Sequence, residues 1–398
     1  MNRSPSQLNA TADSVERWQD YAREITRGLS DDAGSADGKR GTLLILGSGL
    51  CHTDMMLNDE QHIRSADYVF HCLYDRVTQV WLSDMRPDAL DLRILYNSAV
   101  PRNTTYICMA EALLHRVRQG RRVVAIFYGH PGFFATPAHR AVHIARAEGH
   151  TAVMRPGISA LDYMVADIGF DPMVPGLLSY EATDLLVRNR RLDPSLHTVL
   201  WQVGVTGELG YSPTGFENRA FEHLSTLLLD TYGPDAHLYH YIAPQYVGVD
   251  PLIDKHLISD LKHYDTRSRI TSNSTFYIPP QKISRLAGSV SLRSPGGPEA
   301  VTRHFDKDQI LFGYGSEERD ALRCFQNLQP ESSYLITGKT PAFELLIAIS
   351  RDVSLRNTFL KDPEAVFRDD RFQNMSERVR KLLKIGHPLA INAALAEP

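Results

Sequence analysis

Residues 41–50 read GTLLILGSGL. The run Thr42-Leu43-Leu44-Ile45-Leu46 leads straight into Gly47-Ser48-Gly49. An unbroken apolar run ahead of glycines is what a strand buried on both faces of a parallel sheet looks like. The same grammar recurs downstream. Tyr68-Val69-Phe70-His71-Cys72 is apolar, and a helix-like stretch at 105–119 closes on Gly120. RVVAIFY at 122–128 runs into Gly129-His130-Pro131-Gly132, followed by a helix-like 137–148 and the short strand Ala152-Val153-Met154. Strand, glycine-rich turn, helix, strand is the order of an α/β unit. Such sheets bind ligands at the carboxyl ends of their strands. Residues 47–49, 128–132 and 156–160 all sit at that kind of position.

A second region begins near Met173. It offers strands at 177–180, 199–203 and 237–242, a helix at 221–232, and the apolar STFYIPP at 274–280. Ahead of the first strand, residues 1–41 read as an extension that ends in the linker-like LSDDAGSADGKRG. Within it, Val15, Trp18, Tyr21, Ile25 and Leu29 are spaced as one face of an amphipathic helix over 12–29. Residues 281–335 are mixed, with a loop signal at Pro295-Gly296-Gly297-Pro298. The last 60 residues read as short helices. Thr340-Pro341 and Asp362-Pro363 are start signals, and Ser376 opens a helix that Gly386 closes. Residues 388–395 form one more. Phe343, Leu346, Ile347 and Ser350 fall on one face, and Val379, Leu382 and Leu383 on another. Helices this small are expected to need the main body or a second subunit to cover them.

At 398 residues the chain is long enough for two or three domains and a sizeable core. The 43 Lys plus Arg against 47 Asp plus Glu leave a net charge of −4, without the basic surplus of a nucleic-acid binder. Cys51, Cys72, Cys108 and Cys324 show no CxxC pairing, which argues against a disulfide scaffold or zinc ribbon. No apolar run approaches the ~20 residues of a membrane span. The N-terminus lacks the apolar core of a secretory signal. The expectation is a soluble cytoplasmic protein.

Gly47-Ser48-Gly49 is too short for the dinucleotide fingerprint, because residues 50–52 are Leu, Cys and His. Thr337-Gly338-Lys339-Thr340 imitates the end of a phosphate loop, but position 333 is Ser, so it reads as a turn and helix cap. His139 and His143 stand four apart on a helix but lack the third ligand that a catalytic metal needs. The expected chemistry uses no metal. The informative cluster is Tyr96, Arg102 and Tyr106, in LDLRILYNSAVPRNTTYICMAEALL. Tyr106 sits near a helix start that Asn103 or Thr104 can cap, with Arg102 in the loop ahead. A phenol titrates near ~10, and a guanidinium beside it favours the anion. Such a pair can take a proton from a very weak acid or hold an oxyanion.

With these stretches side by side, the chain resembles the tetrapyrrole methylase superfamily of S-adenosylmethionine-dependent methyltransferases. Within it, the chain resembles the borosin peptide-backbone α-N-methyltransferases of the omphalotin type. The resemblance spans about 42–280. It rests on GTLLILGSGL (41–50), LYNSAVPRNTTYICM (95–109), VVAIFYGHPGFF (123–134), HRAVHIARAEGH (139–150), MRPGISALDYMVADI (154–168), SYEATDLLVRNR (179–190), WQVGVTG (201–207) and STFYIPP (274–280). Tetrapyrrole methylases usually carry Asp at the position of His130, which favours the peptide branch. FLKDPEAVFRDDRF (359–372) and ERVRKLLKIGHPLAINAAL (377–395) resemble the helical clasp that holds a borosin precursor on its enzyme.

The resemblance implies an α/β fold of two subdomains with S-adenosylmethionine in the cleft between them, and a C-terminal helical clasp. It divides the chain into an extension (1–41), a methyltransferase domain (42–280), a connecting segment (281–335) and the clasp (336–398). The cofactor is expected to touch Tyr128, His130, Ser159, Ala160, Gln202 and Thr275. Tyr96, Arg102 and Tyr106 match the family's catalytic positions, whereas one further family tyrosine is Arg93 here. No core peptide is evident between the clasp and Pro398, so the expected substrate is a peptide that is either fused or presented in trans. An interlocked homodimer is the expected assembly. The rival readings are a tetrapyrrole or other small-molecule methyltransferase, which would not need the clasp, and a non-catalytic scaffold that keeps the fold.

Overall fold

A computed structural model describes residues 5–30, 40–244, 246, 248–281, 315–327, 329 and 340–397, with side chains of the N-terminal helix over 15–27. The chain divides into two units, 1–284 and 285–398. The fold is α/β with two sheets in the first unit and helices at the C-terminus.

The first sheet contains β1 (Thr42–Gly47), β2 (Tyr68–Cys72), β3 (Leu90–Asp91), β4 (Arg122–Phe127) and β5 (Thr151–Met154) in the order β3-β2-β4-β1-β5. Every pairing is parallel. β1 lies between two partners with a helical layer on each face, which is why its Ile45 and Leu46 are both fully buried. Helices Arg102–Arg118 and Thr136–Ala147 bring Leu113, Leu114, Val117, Ala138 and Ala141 into the core on one side. Helices Asp59–Ser65 and Arg76–Met85 bring Ile63 and Leu82 to the other.

The second sheet contains β6 (Leu177–Glu181), β7 (His197–Trp201), β8 (His237–Ile242), β9 (Leu252–Leu257) and β10 (Thr275–Ile278) in the order β6-β7-β10-β8-β9. Only β6 and β7 run parallel. One face packs on helix Phe221–Tyr232 through Phe221, Leu224 and Phe276. The other packs on helix Ala160–Ile168 through Met164, Tyr241 and Tyr277. Because β10 runs against β7 and β8, its first residues lie level with the carboxyl ends of those two strands.

Three expectations are corrected. The N-terminal helix spans Pro5–Ser30, longer than its apolar spacing indicated, and its face is covered by its own chain. Trp18 and Tyr21 are buried with Phe70 and Leu113, and the Tyr21 hydroxyl donates to the Ala112 carbonyl. The Leu29 side chain and linker residues 31–39 lie outside what the structure describes. The C-terminal helices Pro341–Arg351, Val353–Lys361, Pro363–Phe367, Glu377–Ile385 and Pro388–Ala396 bury a core of their own. Leu345, Phe367, Phe372, Val379 and Leu383 meet there, so five short helices achieve together what one cannot. The buried face of the first is set by Ala342 and Leu345, whereas Ile347 remains 37% exposed. The expected start signals operate as caps. Thr340 Oγ1 accepts from the Phe343 amide, Asp362 from Ala365 and Ser376 from Val379. The Pro295–Pro298 loop and residues 333–339 lie outside the described residues. Among those that are described, no helix is long and apolar enough to cross a membrane.

Candidate active site

The carboxyl ends of β1, β2 and β4 are level, since Gly47 and Cys72 both register with Phe127. Just beyond them Gly49 and Gly129 exchange backbone hydrogen bonds at 3.3 and 2.8 Å. Both glycines have positive φ, +65° and +72°. A side chain on Gly47 would run into the Gly129 carbonyl and the Pro131 ring, whereas one on Gly129 would meet nothing within 4 Å. The crossing is closed on one side and open on the other, where a ligand's chain can approach the backbone.

That open side is part of a cavity of about 570 Å³ between the two sheets, within the usual range for small-molecule sites. All nine residues singled out in the sequence line it: Tyr96, Arg102, Tyr106, Tyr128, His130, Ser159, Ala160, Gln202 and Thr275. His130 Nδ1 accepts from the Gly132 amide at 3.0 Å, which orients the ring. Ser159 caps helix Ala160–Ile168 by accepting from the Leu161 amide at 3.2 Å, and it donates to Asp162 at 2.6 Å. Its hydroxyl is therefore engaged in the turn, and the cavity meets the helix start itself. Gln202 adopts a left-handed φ of +56° immediately after β7, and Thr275 pairs with Tyr241 at the start of β10.

Arg102 is the first residue of helix Arg102–Arg118 rather than part of the preceding loop. Pro101 is the N-cap, so neither Asn103 nor Thr104 caps this helix. Arg102 and Tyr106 are thus one turn apart on the same helical face. The Arg102 amide donates to Leu209, and its guanidinium reaches the Gly210 carbonyl at 2.7 Å and that of Glu208 at 3.4 Å. Tyr96 stacks on Tyr211 with ring centroids 4.9 Å apart. The loop after β7 therefore holds both the arginine and the tyrosine in place.

The expected electrostatics are corrected in sign. Burial pushes the Tyr106 phenol up, and the Arg102 charge and hydrogen bond beside it only partly offset that. Tyr106 ends above the ordinary phenol range and stays protonated at neutral pH. Tyr96 is also raised, by burial and by the neighbouring Tyr74 and Cys72. Tyr128 is pushed up to about 12 by burial and by Asp75 and Asp54.

Other cavity residues were not singled out. Tyr74 lines the cavity and hydrogen-bonds Tyr96. Phe133 and Phe134 pack edge-on against Trp201 at 5.5 and 6.1 Å. Trp201 Nε1 in turn donates to Ser179 at 2.8 Å, and Tyr241 donates to Asp167 at 2.6 Å. Phe133 and Phe134 lie inside the quoted VVAIFYGHPGFF, but Tyr211 gave no local signal and reaches the site only through tertiary packing. Arg93, at the divergent position, pairs with Asp91, donates to Gln79 at 3.1 Å, and lies 5.9 Å from the Tyr74 ring. His139 and His143 share helix Thr136–Ala147, where His139 Nε2 meets the Gly132 carbonyl at 2.9 Å.

Known proteins resemble this chain over most of its length. The profile of the Tetrapyrrole (Corrin/Porphyrin) Methylases matches residues 42–243. A methyltransferase and ribosomally synthesised type I borosin cyclic peptide precursor of Cerrena unicolor is 36% identical over 341 residues, covering 82% of this chain and 83% of that protein. Another type I borosin protein, of Serendipita vermifera subsp. bescii, is 35% identical over 367 residues, 89% of each. A type III borosin protein of Anomoporia bombycina is 45% identical over 344 residues, 83% of this chain but only 39% of that longer protein.

Proposed function

The chain belongs to the borosin methyltransferases of the tetrapyrrole methylase family, and from that premise we propose that it methylates the backbone amide nitrogens of a ribosomally made peptide with S-adenosylmethionine as donor. The observation that carries this reading is the meeting of two residue groups in one cavity. Tyr96, Arg102 and Tyr106 stand on the same walls as Tyr128, His130, Ser159, Ala160, Gln202 and Thr275. The residues fit the cofactor. The open flank of Gly129 admits a close backbone approach, and Tyr128, Phe133, Phe134 and Trp201 offer aromatic surface. The cofactor supplies an electrophilic methyl group on a sulfonium.

An amide nitrogen is a poor nucleophile, because its lone pair is delocalised into the carbonyl. The protein must therefore remove the N–H proton and stabilise the imidate oxygen that develops. Arg102, fixed by Gly210 and Glu208, presents positive charge at that oxygen without needing to reorganise. The phenolate fraction of Tyr106, supported by Arg102, takes the proton. Tyr96, held flat on Tyr211 and bonded to Tyr74, orders the wall against which the amide lies.

The assembly is proposed to be a homodimer in which residues 340–398 of one chain cover the other. The C-terminal helices keep Leu360 at 74%, Ile385 at 64% and Leu389 at 72% exposure after forming their own core, which supports a further partner.

The test is mass spectrometry of the protein and of an added apolar peptide, each with and without S-adenosylmethionine. Methylene-sized increments on either polypeptide, mapped by fragmentation to backbone nitrogens, are the expected result. Methylation confined to side chains, or transfer only to a tetrapyrrole, would reject the proposal.

A further inference from the structure

The second sheet carries a cluster that the methyl-transfer reading does not use. Side chains alternate along β8, so Tyr241 faces the cavity while His240 points to the opposite face. The antiparallel register sets His240 directly across from Asp254 on β9, and His256, two residues on, shares that face. One ligand-type atom from each of His240, Asp254 and His256 lies within 4.8 Å of the other two.

One of these side chains carries an unsatisfied atom. His256 Nε2 is buried without a hydrogen-bond partner. Asp254 Oδ2 is buried and has only the ion pair to Arg269 at 2.8 Å. Buried polar atoms are normally satisfied, and each exception calls for a reason. The third member is already oriented. Ser274 Oγ sits 2.7 Å from His240 Nε2 and accepts from the Thr271 amide at 2.8 Å. That leaves Nδ1 of the His240 ring for a ligand, with its other nitrogen held by an outer partner, as metal-bound histidines usually are.

We propose that His240, Asp254 and His256 form a site for a divalent transition metal of the zinc and cobalt class. Two imidazole nitrogens and one carboxylate oxygen suit such borderline cations better than calcium or magnesium, which prefer oxygen. With metal–ligand bonds of about 2.0–2.1 Å the donor atoms must draw together to about 3.4 Å, and water completes the coordination. Arg269, with its side chain 54% exposed, is the resident counter-charge that the metal displaces towards solvent. The site's role is to brace the cavity wall. It ties β9 to β8 behind the 272–275 segment, and Ser274 both touches His240 and lines the cavity. None of the three ligands lines the cavity itself, so methyl-donor binding is expected to survive chelation.

The experiment titrates metal-free full-length protein with cobalt(II), followed by visible absorption. Wild type should bind one equivalent per chain, with ligand-field bands and no sulfur-to-cobalt charge transfer. Asp254→Asn and His256→Gln should each weaken binding at least tenfold while keeping a native circular dichroism spectrum. Arg269→Gln removes the competing cation and should tighten binding severalfold. This third variant decides the matter even where the first two are destabilised, because loss of folding cannot produce tighter binding. Absence of a stoichiometric site in wild type, unchanged affinity in Arg269→Gln, or a charge-transfer band from the exposed Cys108 or Cys324 would overturn the proposal.

Discussion

The Arg102 guanidinium is held chiefly by the backbone carbonyl of Gly210, which lies 2.7 Å from Nη2 and 3.2 Å from Nε, with the Glu208 carbonyl at 3.4 Å. Arg102 and Gly210 are 108 positions apart, one opening a helix beside the first sheet and the other in the loop after β7. The contact fixes a positive charge at the cavity wall before any substrate arrives, as electrostatic catalysis requires.

Removing that charge should therefore affect the chemical step rather than donor binding. Arg102→Ala is expected to lower turnover by about 10²–10³-fold, with S-adenosylmethionine affinity, measured by calorimetry, nearly unchanged. Tyr106→Phe should lower turnover by about 10²–10⁴-fold, the usual range for a general base. Either variant working at the wild-type rate would remove its residue from the mechanism. Tyr96→Phe should fall in the same direction by a smaller factor.

The pH profile separates the two roles open to Tyr106. Burial holds its phenol above the ordinary range, so the phenolate is a minority species near neutrality. A rate that depends on that minority rises about tenfold per pH unit until the raised pKa is reached. We expect single-turnover methylation to climb from pH 7 to pH 9. A flat profile would assign Tyr106 to hydrogen-bond donation and leave the proton to another base.

Glu24 joins the N-terminal helix to the body through Arg116, Gln119 and His115. Burial pushes its carboxyl up, but hydrogen bonds from Gln119, Arg116 and His115 prevail and bring it down to about 2. A depressed folded pKa adds stability above the unfolded value, and that stability is lost as the pH falls from about 4.5 towards 2. The carboxylate is 42% exposed, so solvent screening limits its contribution to no more than about 1 kcal/mol. The hydrogen-exchange protection factors of residues 15–27, taken against the intrinsic rate at each pH, should fall on acidification in wild type. Glu24→Gln should show low protection already at neutral pH and little further change.

Gly47→Ala should distort the crossing of the two glycine turns, because the new methyl meets the Gly129 carbonyl and the Pro131 ring. Overpacking of this kind costs about 1–3 kcal/mol. A lowered Tm together with at least tenfold weaker binding of S-adenosylmethionine is the expected pair of results. Normal donor affinity at a lowered Tm would separate this turn from the cofactor site.

The proposed assembly can be tested by sedimentation at sub-micromolar concentration, where the full chain should remain a dimer. A chain cut at 335 should lose dimerisation or show a lower melting temperature. A monomeric full chain, or a truncated dimer of unchanged stability, would deprive residues 340–398 of the assembly role.

The sequence by itself determined eight of the ten strands among the described residues and the turns that follow them, whereas Leu90–Asp91 and Leu252–Leu257 have no apolar run to announce them. An apolar run can be hidden only inside a sheet, and glycines at 47, 49 and 129 are what a close crossing with positive φ demands. Helix starts at Thr340, Asp362 and Ser376 were legible for the same reason, since a cap is a bond between residues two or three positions apart. The nine cavity residues were found because each stands in or beside a distinctive short motif, although nothing local said that they face one another. What required the tertiary structure were relationships between distant segments. Tyr211 reaches Tyr96 and Gly210 reaches Arg102 only because the loop after β7 folds back over helix Arg102–Arg118. The covered faces of the N-terminal and C-terminal helices depend on which surfaces meet, and periodicity shows that a face is apolar without showing what buries it. Tyr106 is the sharpest case. An arginine four residues away predicts a lowered pKa, but the outcome is set by desolvation, which depends on how much of the fold closes around the phenol.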